Sequence, residues 1–198
     1  IIGCEVYVAP RSRLDREARV DSDPYHLVLL CQNEQGYRNL VQLVSRAYLE
    51  GFYYKPRVDR ELLESHSKGL IAMTACLAGE IPRCLLRDRY EEALDTALYY
   101  DRLFGRGNFY LELQDHGLAE EKRVCQGLRR LSKETGIPLV ASNDFHYIQR
   151  SDAEIHDVLL CIQTGSVLSD EKRMRFSGSE FYMKSAPEMQ ELFADIPE

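Results

Sequence analysis

The sequence predicts an α/β fold with a largely parallel sheet. Apolar segments rich in β-branched residues alternate with segments whose apolar residues recur at helical spacing. The strand-like segments lie at residues 1–9, 25–31, 69–76, 109–114 and 139–147. The helix-like segments lie at residues 37–49, 59–64, 79–86, 90–104, 118–135, 151–163 and 186–194. Such alternation is typical of sheets whose strands are joined by crossover helices.

The composition is that of an ordinary globular protein. The 198 residues are 44% hydrophobic and 29% charged, and no apolar run approaches the ~20 residues that cross a bilayer. A net charge of −7 argues against an autonomous nucleic-acid-binding module, although neighbouring parts of a larger protein could deliver such a substrate. Six cysteines without CxxC spacing predict reduced thiols in a cytoplasmic protein.

The segment 139–147 (LVASNDFHY) ends in a carboxylate and an imidazole, Asp144 and His146. Side chains two residues apart on an extended strand point to the same side. Parallel α/β proteins usually place their chemistry at the carboxyl ends of strands. The pair therefore predicts a functional site, with a hydrogen-bonded turn as the simpler interpretation.

Other strand-like segments also carry polar or soft ligand groups in apolar surroundings, namely Glu5, His26, Cys76 and Glu112. Each has a simpler interpretation. Cys76 is a buried small hydrophobe, His26 a satisfied core histidine, and Glu112 part of a solvated strand face. His66, His116 and His156 are expected to be structural or exposed. Together, however, Cys, His, Asp and Glu side chains from several strands predict a site for divalent metal ions.

Several longer motifs resemble the polymerase-and-histidinol-phosphatase (PHP) domain of the α subunits of bacterial replicative DNA polymerase III. They are residues 1–7 (IIGCEVY), 50–57 (EGFYYKPR), 75–80 (ACLAGE), 111–117 (LELQDHG), 143–147 (NDFHY), 156–165 (HDVLLCIQTG) and 174–176 (MRF). The resemblance runs the whole length of the chain. It favours the polymerase branch of the family over free-standing phosphatases.

The resemblance implies a distorted (β/α)₇ barrel with a metal cluster at one end. We expect a partial copy: residues 1–165 would be the C-terminal part of the barrel, and 166–198 would lead out toward the polymerase core. The absence of an initiator Met and of the family's His-x-His motif agrees with first strands upstream of Ile1. The ligands carried over are Glu5, His26, Cys76, Asp144 and His146, with Asp144 and His146 as catalytic residues. Glu112 and His116 are not usual ligands in the family, which favours the solvated-face interpretation of Glu112.

The implied activity is metal-dependent hydrolysis of phosphodiesters, acting as a 3′→5′ proofreading exonuclease within the catalytic subunit of a DNA polymerase. Zinc is the foremost expected ion, with manganese or iron as alternatives. The implied partners are DNA, the remainder of the polymerase chain and other replisome subunits, all in the bacterial cytoplasm. The 198-residue chain alone is expected to be inactive.

Two other functions stay open from the sequence. In the first, the ligands are vestigial, and the domain stabilises the polymerase and docks a separate proofreading subunit. In the second, the chain belongs to a stand-alone PHP phosphoesterase that hydrolyses small phosphomonoesters. The second needs a basic cluster to bind phosphate, and the sequence shows no such cluster.

Overall fold

The structure, a computed structural model, describes residues 1–196 and contains a mixed six-stranded sheet. The strands are β1 (Gly3–Val8), β2 (Tyr25–Cys31), β3 (Arg57–Val58), β4 (Leu70–Met73), β5 (Phe109–Leu113) and β6 (Leu139–Ala141), in the order β3-β1-β2-β4-β5-β6. β1 is parallel to β3 and β4 is parallel to β5, but β2 is antiparallel to both β1 and β4. Strands β1, β3, β4 and β5 therefore all run in one direction, so the expectation of a largely parallel sheet is confirmed, with β2 as the antiparallel exception. The connection from β1 to β2 contains no crossover helix, so β2 can reverse beside β1, as antiparallel neighbours do.

The described residues also form seven α-helices, close to the predicted positions. They are α1 (Glu34–Leu49), α2 (Arg60–His66), α3 (Glu80–Leu86), α4 (Tyr90–Phe104), α5 (Ala119–Thr135), α6 (Ala153–Thr164) and α7 (Ala186–Leu192). α1 begins three residues earlier than predicted because the Asn33 side chain caps it, accepting a hydrogen bond from the Gly36 amide at 3.0 Å. No helix within residues 1–196 combines the length and apolar character needed to cross a bilayer.

The described part of the chain divides into two compact units. The first unit comprises Ile1–Glu112 and Arg123–Val140, and the second comprises Leu113–Lys122 with the chain from Ala141 onward. The predicted barrel range, 1–165, and the outgoing segment, 166–198, stay predictions. The last two residues of that segment, 197 and 198, lie outside the described residues.

In the first unit, the two faces of the sheet differ in burial. One face is lined by apolar side chains that are at most 5% exposed: Val6, Val8, Leu27, Leu29, Leu70 and Ala72. Full burial stabilises each larger side chain among these by roughly 1.5–3 kcal/mol. Glu5, Tyr7 and His26 alternate with these residues and lie on the opposite, less buried face. The strand period of two thus puts apolar and ligand-type residues on different faces.

The segment between β1 and β2 is held by Arg57, whose side chain is 0% exposed. Its guanidinium donates hydrogen bonds of 2.8–3.0 Å to four backbone carbonyl oxygens, those of Arg13, Asp15, Asp21 and Gly51. The fork of fixed N–H donors suits this task, because one side chain can satisfy several buried carbonyls at once. Arg57 therefore fixes an irregular segment that has no sheet or helix to order it.

The second unit has a small core of its own. Tyr147, Phe181 and Tyr182 are buried, and Leu118, Ala153 and Phe176 pack against them. Residues 181–183 (FYM) are apolar and predict a short strand, but the structure forms only a single bridge there, between Tyr147 and Tyr182. This core is aromatic, and it lies beside the segment that carries Asp144 and His146.

Candidate metal centre

Three of the five expected ligands, Glu5, His26 and Cys76, lie together in the first unit and form the cluster described here as the unit 1 cluster. The register of β1 and β2 sets Tyr7 opposite His26, which leaves Glu5 on the diagonal position of the same face. His26 Nδ1 lies 2.8 Å from Glu5 Oε1 and 3.6 Å from Cys76 Sγ. Strand pairing therefore brings the carboxylate and the imidazole together.

A tight turn after β4 supplies Cys76. Ala75 adopts a left-handed backbone with φ +59°, and the Gly79 amide donates to the Cys76 carbonyl at 2.9 Å. A Cβ on Gly79 would lie 2.1 Å from the Thr74 carbonyl oxygen, so only glycine fits there. The turn is fastened to β2 because the His26 amide donates to the Ala78 carbonyl at 3.2 Å. Backbone contacts thus hold the thiol beside the imidazole.

Electrostatics favour a positive charge at the centre of the unit 1 cluster. Burial acts to lower the pKa of His26, but its contacts with Cys76 and Glu5 outweigh burial and raise the pKa to about 9. A carboxylate, an imidazole and a thiol are also donors that zinc accepts. Within residues 1–196, however, no three or more His, Cys, Asp or Glu side chains are arranged so that they could hold a metal ion. Glu5 and Cys76 both approach the same ring nitrogen of His26, so they share a proton position.

The other two expected ligands, Asp144 and His146, lie in the second unit. β6 ends at Ala141, and Asp144 has a left-handed backbone with φ +40°. The prediction that the two side chains share one side of an extended strand is therefore wrong. The polar residues after β6 leave the sheet, and Asp is one of the few residues that tolerate this backbone.

His146 is nevertheless held in a defined orientation. Its Nδ1 lies 2.9 Å from the Asp144 carbonyl oxygen, and its amide donates to the Phe181 carbonyl at 2.8 Å. A proton on Nδ1 directed at a carbonyl leaves the lone pair on Nε2, which is the usual state of a metal-binding histidine. The rings of Phe176 and Phe181 stand edge-on to it, with centroids at 4.7 and 5.7 Å.

The structure also places Glu112 and the three remaining histidines singled out in the sequence, His66, His116 and His156. Glu112 is only 5% exposed, so its solvated-face interpretation is wrong; its strand, β5, is largely buried on both sides. His116 is structural, as expected, and is 4% exposed. His156 is half-buried, and burial followed by the charge of His146 lowers its pKa. His66 contacts the Leu62 carbonyl on its own helix.

The hydrogen-bonded ion pair between His116 and Glu121 was not predicted from the sequence. Burial acts to lower the pKa of His116, but hydrogen bonds to the Glu121 carboxylate and the Asn143 carbonyl outweigh it and raise the pKa. Burial acts to raise the pKa of Glu121, but the hydrogen bonds from His116 more than compensate and lower it. An ionised pair of this kind is stable only when both charges are hydrogen-bonded. The only sequence signal was an acidic residue in the first turn of α5, which is common at helix starts.

These features define an α/β domain whose sheet carries a carboxylate and an imidazole, Glu5 and His26, beside the thiol of Cys76. The chain belongs to the PHP domain family, whose family model matches residues 1–116. It is similar to DNA polymerase III subunit alpha of Treponema pallidum, with 52% identity over 100% of this chain and 17% of the relative. The same protein of Borreliella burgdorferi is 48% identical over 100% of this chain and 17% of its own length.

A third relative, DNA polymerase III subunit alpha of Thermus aquaticus, is 47% identical over 100% of this chain and 16% of its own length. The chain therefore spans about a sixth of the length of these relatives. The matches confirm the resemblance inferred from the motifs and the expected α/β PHP fold. They also extend beyond residue 116, where the family model ends.

Proposed function

We propose that the chain is the PHP part of a bacterial DNA polymerase III α subunit and contributes to metal-dependent phosphodiester hydrolysis. The observation that carries this proposal is the unit 1 cluster, in which the Glu5 carboxylate and the Cys76 thiol both lie beside Nδ1 of His26. The similarity to DNA polymerase III α subunits supports a role in DNA replication. Such a role implies DNA, the rest of the polymerase chain and other replisome subunits as partners, and the bacterial cytoplasm as the compartment.

The ligands in this proposal are Glu5, His26, Cys76, Asp144 and His146. Their mixed oxygen, nitrogen and sulfur donors fit zinc best, with manganese or iron as alternatives. A bound divalent ion neutralises phosphate charge and lowers the pKa of a coordinated water. Glu5 and the Cys76 thiol orient His26, and the Asp144 carbonyl orients the His146 ring. Asp144 and His146 act at the scissile phosphodiester as the catalytic residues. With the 3′ end of a DNA strand as the proposed substrate, the activity is that of a 3′→5′ exonuclease.

Zinc binding by the full-length protein tests the unit 1 cluster. Cys76→Ala is expected to weaken zinc binding by at least about 10-fold, since even a residue that only supports a ligand contributes 10- to 100-fold. Cys31→Ala is the matched control, because Cys31 is a half-buried thiol at the end of β2. Competition titration with a zinc chelator measures both variants. Equal affinity in the two variants would show that Cys76 is not a ligand.

A second function, that of a scaffold for the polymerase, is favoured by an apolar surface on α6. This α6 surface is formed by Ile155, Leu159 and Ile162, which recur at helical spacing and are 57–73% exposed. The opposite side of α6 is also apolar, with Leu160 and Cys161 each 5% exposed. An apolar stripe that stays exposed on a helix whose other side is already packed is typical of a surface that a further part of a protein covers. The relatives match this region and extend far beyond the chain, so the proposed occupant is the remainder of the polymerase polypeptide.

Charge placed on the α6 surface tests the scaffold function. In the full-length protein, Ile162→Lys is expected to lower the thermal midpoint by at least roughly 2 °C, because it places a charge in a buried contact. Gln163→Lys adds the same charge at the neighbouring exposed position and is expected to leave the midpoint unchanged. Scanning calorimetry compares the two. Identical midpoints would mean that nothing covers the α6 surface.

The stand-alone phosphoesterase is the least supported alternative. The similarity to DNA polymerase III α subunits covers 100% of the chain in the relatives described above, which favours the polymerase branch. Hydrolysis of a small phosphomonoester by the 198-residue chain would support that alternative instead. The 3′→5′ exonuclease proposal expects the chain alone to be inactive.

A further inference from the structure

His116 is buried with both ring nitrogens facing acceptors. Nδ1 lies 2.6 Å from a carboxylate oxygen of Glu121, and Nε2 lies 2.7 Å from the carbonyl oxygen of Asn143. A carbonyl oxygen and an ionised carboxylate can only accept, and the lowered pKa of Glu121 keeps its carboxyl ionised, so each ring nitrogen carries a proton. The ring is therefore an imidazolium, and its charge is balanced by Glu121, which is itself 4% exposed.

Glu121 fixes His116 from two directions. Its other carboxylate oxygen accepts the His116 amide at 2.6 Å, so one carboxylate holds both the ring and the backbone of the same residue. The Leu118 amide also points to this oxygen, at 3.4 Å. Charge-assisted hydrogen bonds in a buried setting are the strong kind. These hydrogen bonds hold the His116 side chain in one orientation.

His116 is also connected to the backbone immediately before Asp144. His116 donates to the carbonyl of Asn143, and the Asn143 side chain donates to the Tyr182 carbonyl at 2.7 Å. Asp144 itself has φ +40°, which costs energy and persists only when surrounding contacts hold it. The bonds made at Asn143 are contacts of that kind.

A second connection leads to His146 through Phe181. The rings of His116 and Phe181 stack in parallel, with centroids 3.9 Å apart and an interplanar angle of 9°. The carbonyl of Phe181 accepts the His146 amide at 2.8 Å, and its ring meets the His146 ring edge-on. One imidazolium thus contacts the neighbours of both expected catalytic residues.

We infer that His116 and Glu121 are positioning residues that hold Asp144 and His146 in their working geometry. What Asp144 and His146 do there rests on the proposed metal-dependent hydrolysis. The holding itself does not, because it is a property of the contacts at Asn143 and Phe181. The two parts can therefore be tested separately.

Hydrogen exchange in the full-length protein tests the holding. The reporters are the amides of His146 and Tyr147, both of which donate to the Phe181 carbonyl. Glu121→Gln is expected to speed their exchange by at least about 10-fold, because it removes the charge that keeps His116 doubly protonated. Glu120→Gln makes the same change at the adjacent exposed carboxylate and is expected to have no effect. The β2 amides of Leu27 and Leu29 are expected to stay unchanged, which separates local loosening from general unfolding.

A second variant and a second measurement complete the experiment. His116→Phe keeps an aromatic ring on Phe181 but removes both hydrogen bonds, and it is expected to speed exchange at the same amides. Zinc titration is expected to show at least about 10-fold weaker binding in both variants than in Glu120→Gln. If the unaltered protein binds none of zinc, manganese and iron, the proposed function fails while the exchange result still decides the positioning role. Unchanged exchange at His146 and Tyr147 in both variants would overturn the inference.

Discussion

Replacing Asp144 with asparagine in the full-length polymerase is expected to lower its 3′→5′ exonuclease rate by more than about 100-fold. That figure is the upper end of the loss when only a partner of a metal ligand is removed, and a ligand should contribute more. Asparagine is the right substitution because it tolerates the φ +40° backbone of Asp144, whereas alanine would add backbone strain. The expected loss therefore reports the missing carboxylate charge and not a distorted loop.

Nucleotide incorporation by the same variant is expected to be unchanged, since the sequence pattern predicts no carboxylate set for nucleotidyl transfer in this part of the polymerase. A primer-extension assay and a degradation assay on the same labelled DNA measure both rates in one preparation. Glu154→Gln serves as the control, because Glu154 is an exposed carboxylate on α6 in the same unit. Undiminished degradation by Asp144→Asn would reject Asp144 as a catalytic residue.

Replacing Arg57 with methionine is expected to destabilise the first unit by about 4 kcal/mol or more. The substitution keeps much of the apolar volume but leaves four carbonyl oxygens without the guanidinium that they share, and each buried unsatisfied group costs about 1–3 kcal/mol. Asp21 loses a nearby positive charge as well, although its ion pair with Arg11 at 2.6 Å remains. Arg57→Lys is expected to restore only part of the stability lost in Arg57→Met, since an ammonium cannot reproduce the fork of guanidinium donors.

Native-state hydrogen exchange measures the loss as the free energy of opening at the Ala9 amide, which donates to the Val58 carbonyl beside Arg57. Arg38→Met is the control, because Arg38 is 70% exposed and its pair with Glu34 is a helical surface pair worth little. Equal opening free energies in the Arg57 and Arg38 variants would show that the four carbonyls find other donors.

Local pattern predicted the elements well where the pattern was strong. β2 and α4 have the predicted bounds, because an uninterrupted apolar run and a regular helical period are properties of neighbouring residues. Ser151 and Glu154 have the spacing of a capping box, and the sequence predicts one there, but the structure does not form it. The box is formed by Gln149 and Asp152 around a 3-10 turn at Arg150–Asp152. Several polar residues in that stretch could cap a helix, and only packing chooses among them.

Contacts distant in the sequence were harder to predict. The two-residue strand β3 was missed because Arg57 and Val58 carry no alternation, and they become a strand only by pairing with Tyr7 and Val8. Glu112 was assigned to a solvated face because Tyr110 and Gln114 alternate with apolar residues. The structure buries that face, and no local pattern records what covers a strand.

The sequence by itself determined the α/β class, the positions of most helices and strands, and the family. It also supplied the ligand-type residues Glu5, His26 and Cys76. Only the tertiary structure decided that these three side chains lie together and that β2 runs antiparallel to its neighbours. It also decided that both ring nitrogens of His116 are hydrogen-bonded and that Arg57 donates to four backbone carbonyls. The physical reason is the range of the forces involved. Periodicity and capping act between neighbours in the chain, whereas strand register and buried hydrogen bonds join residues that the fold alone brings together.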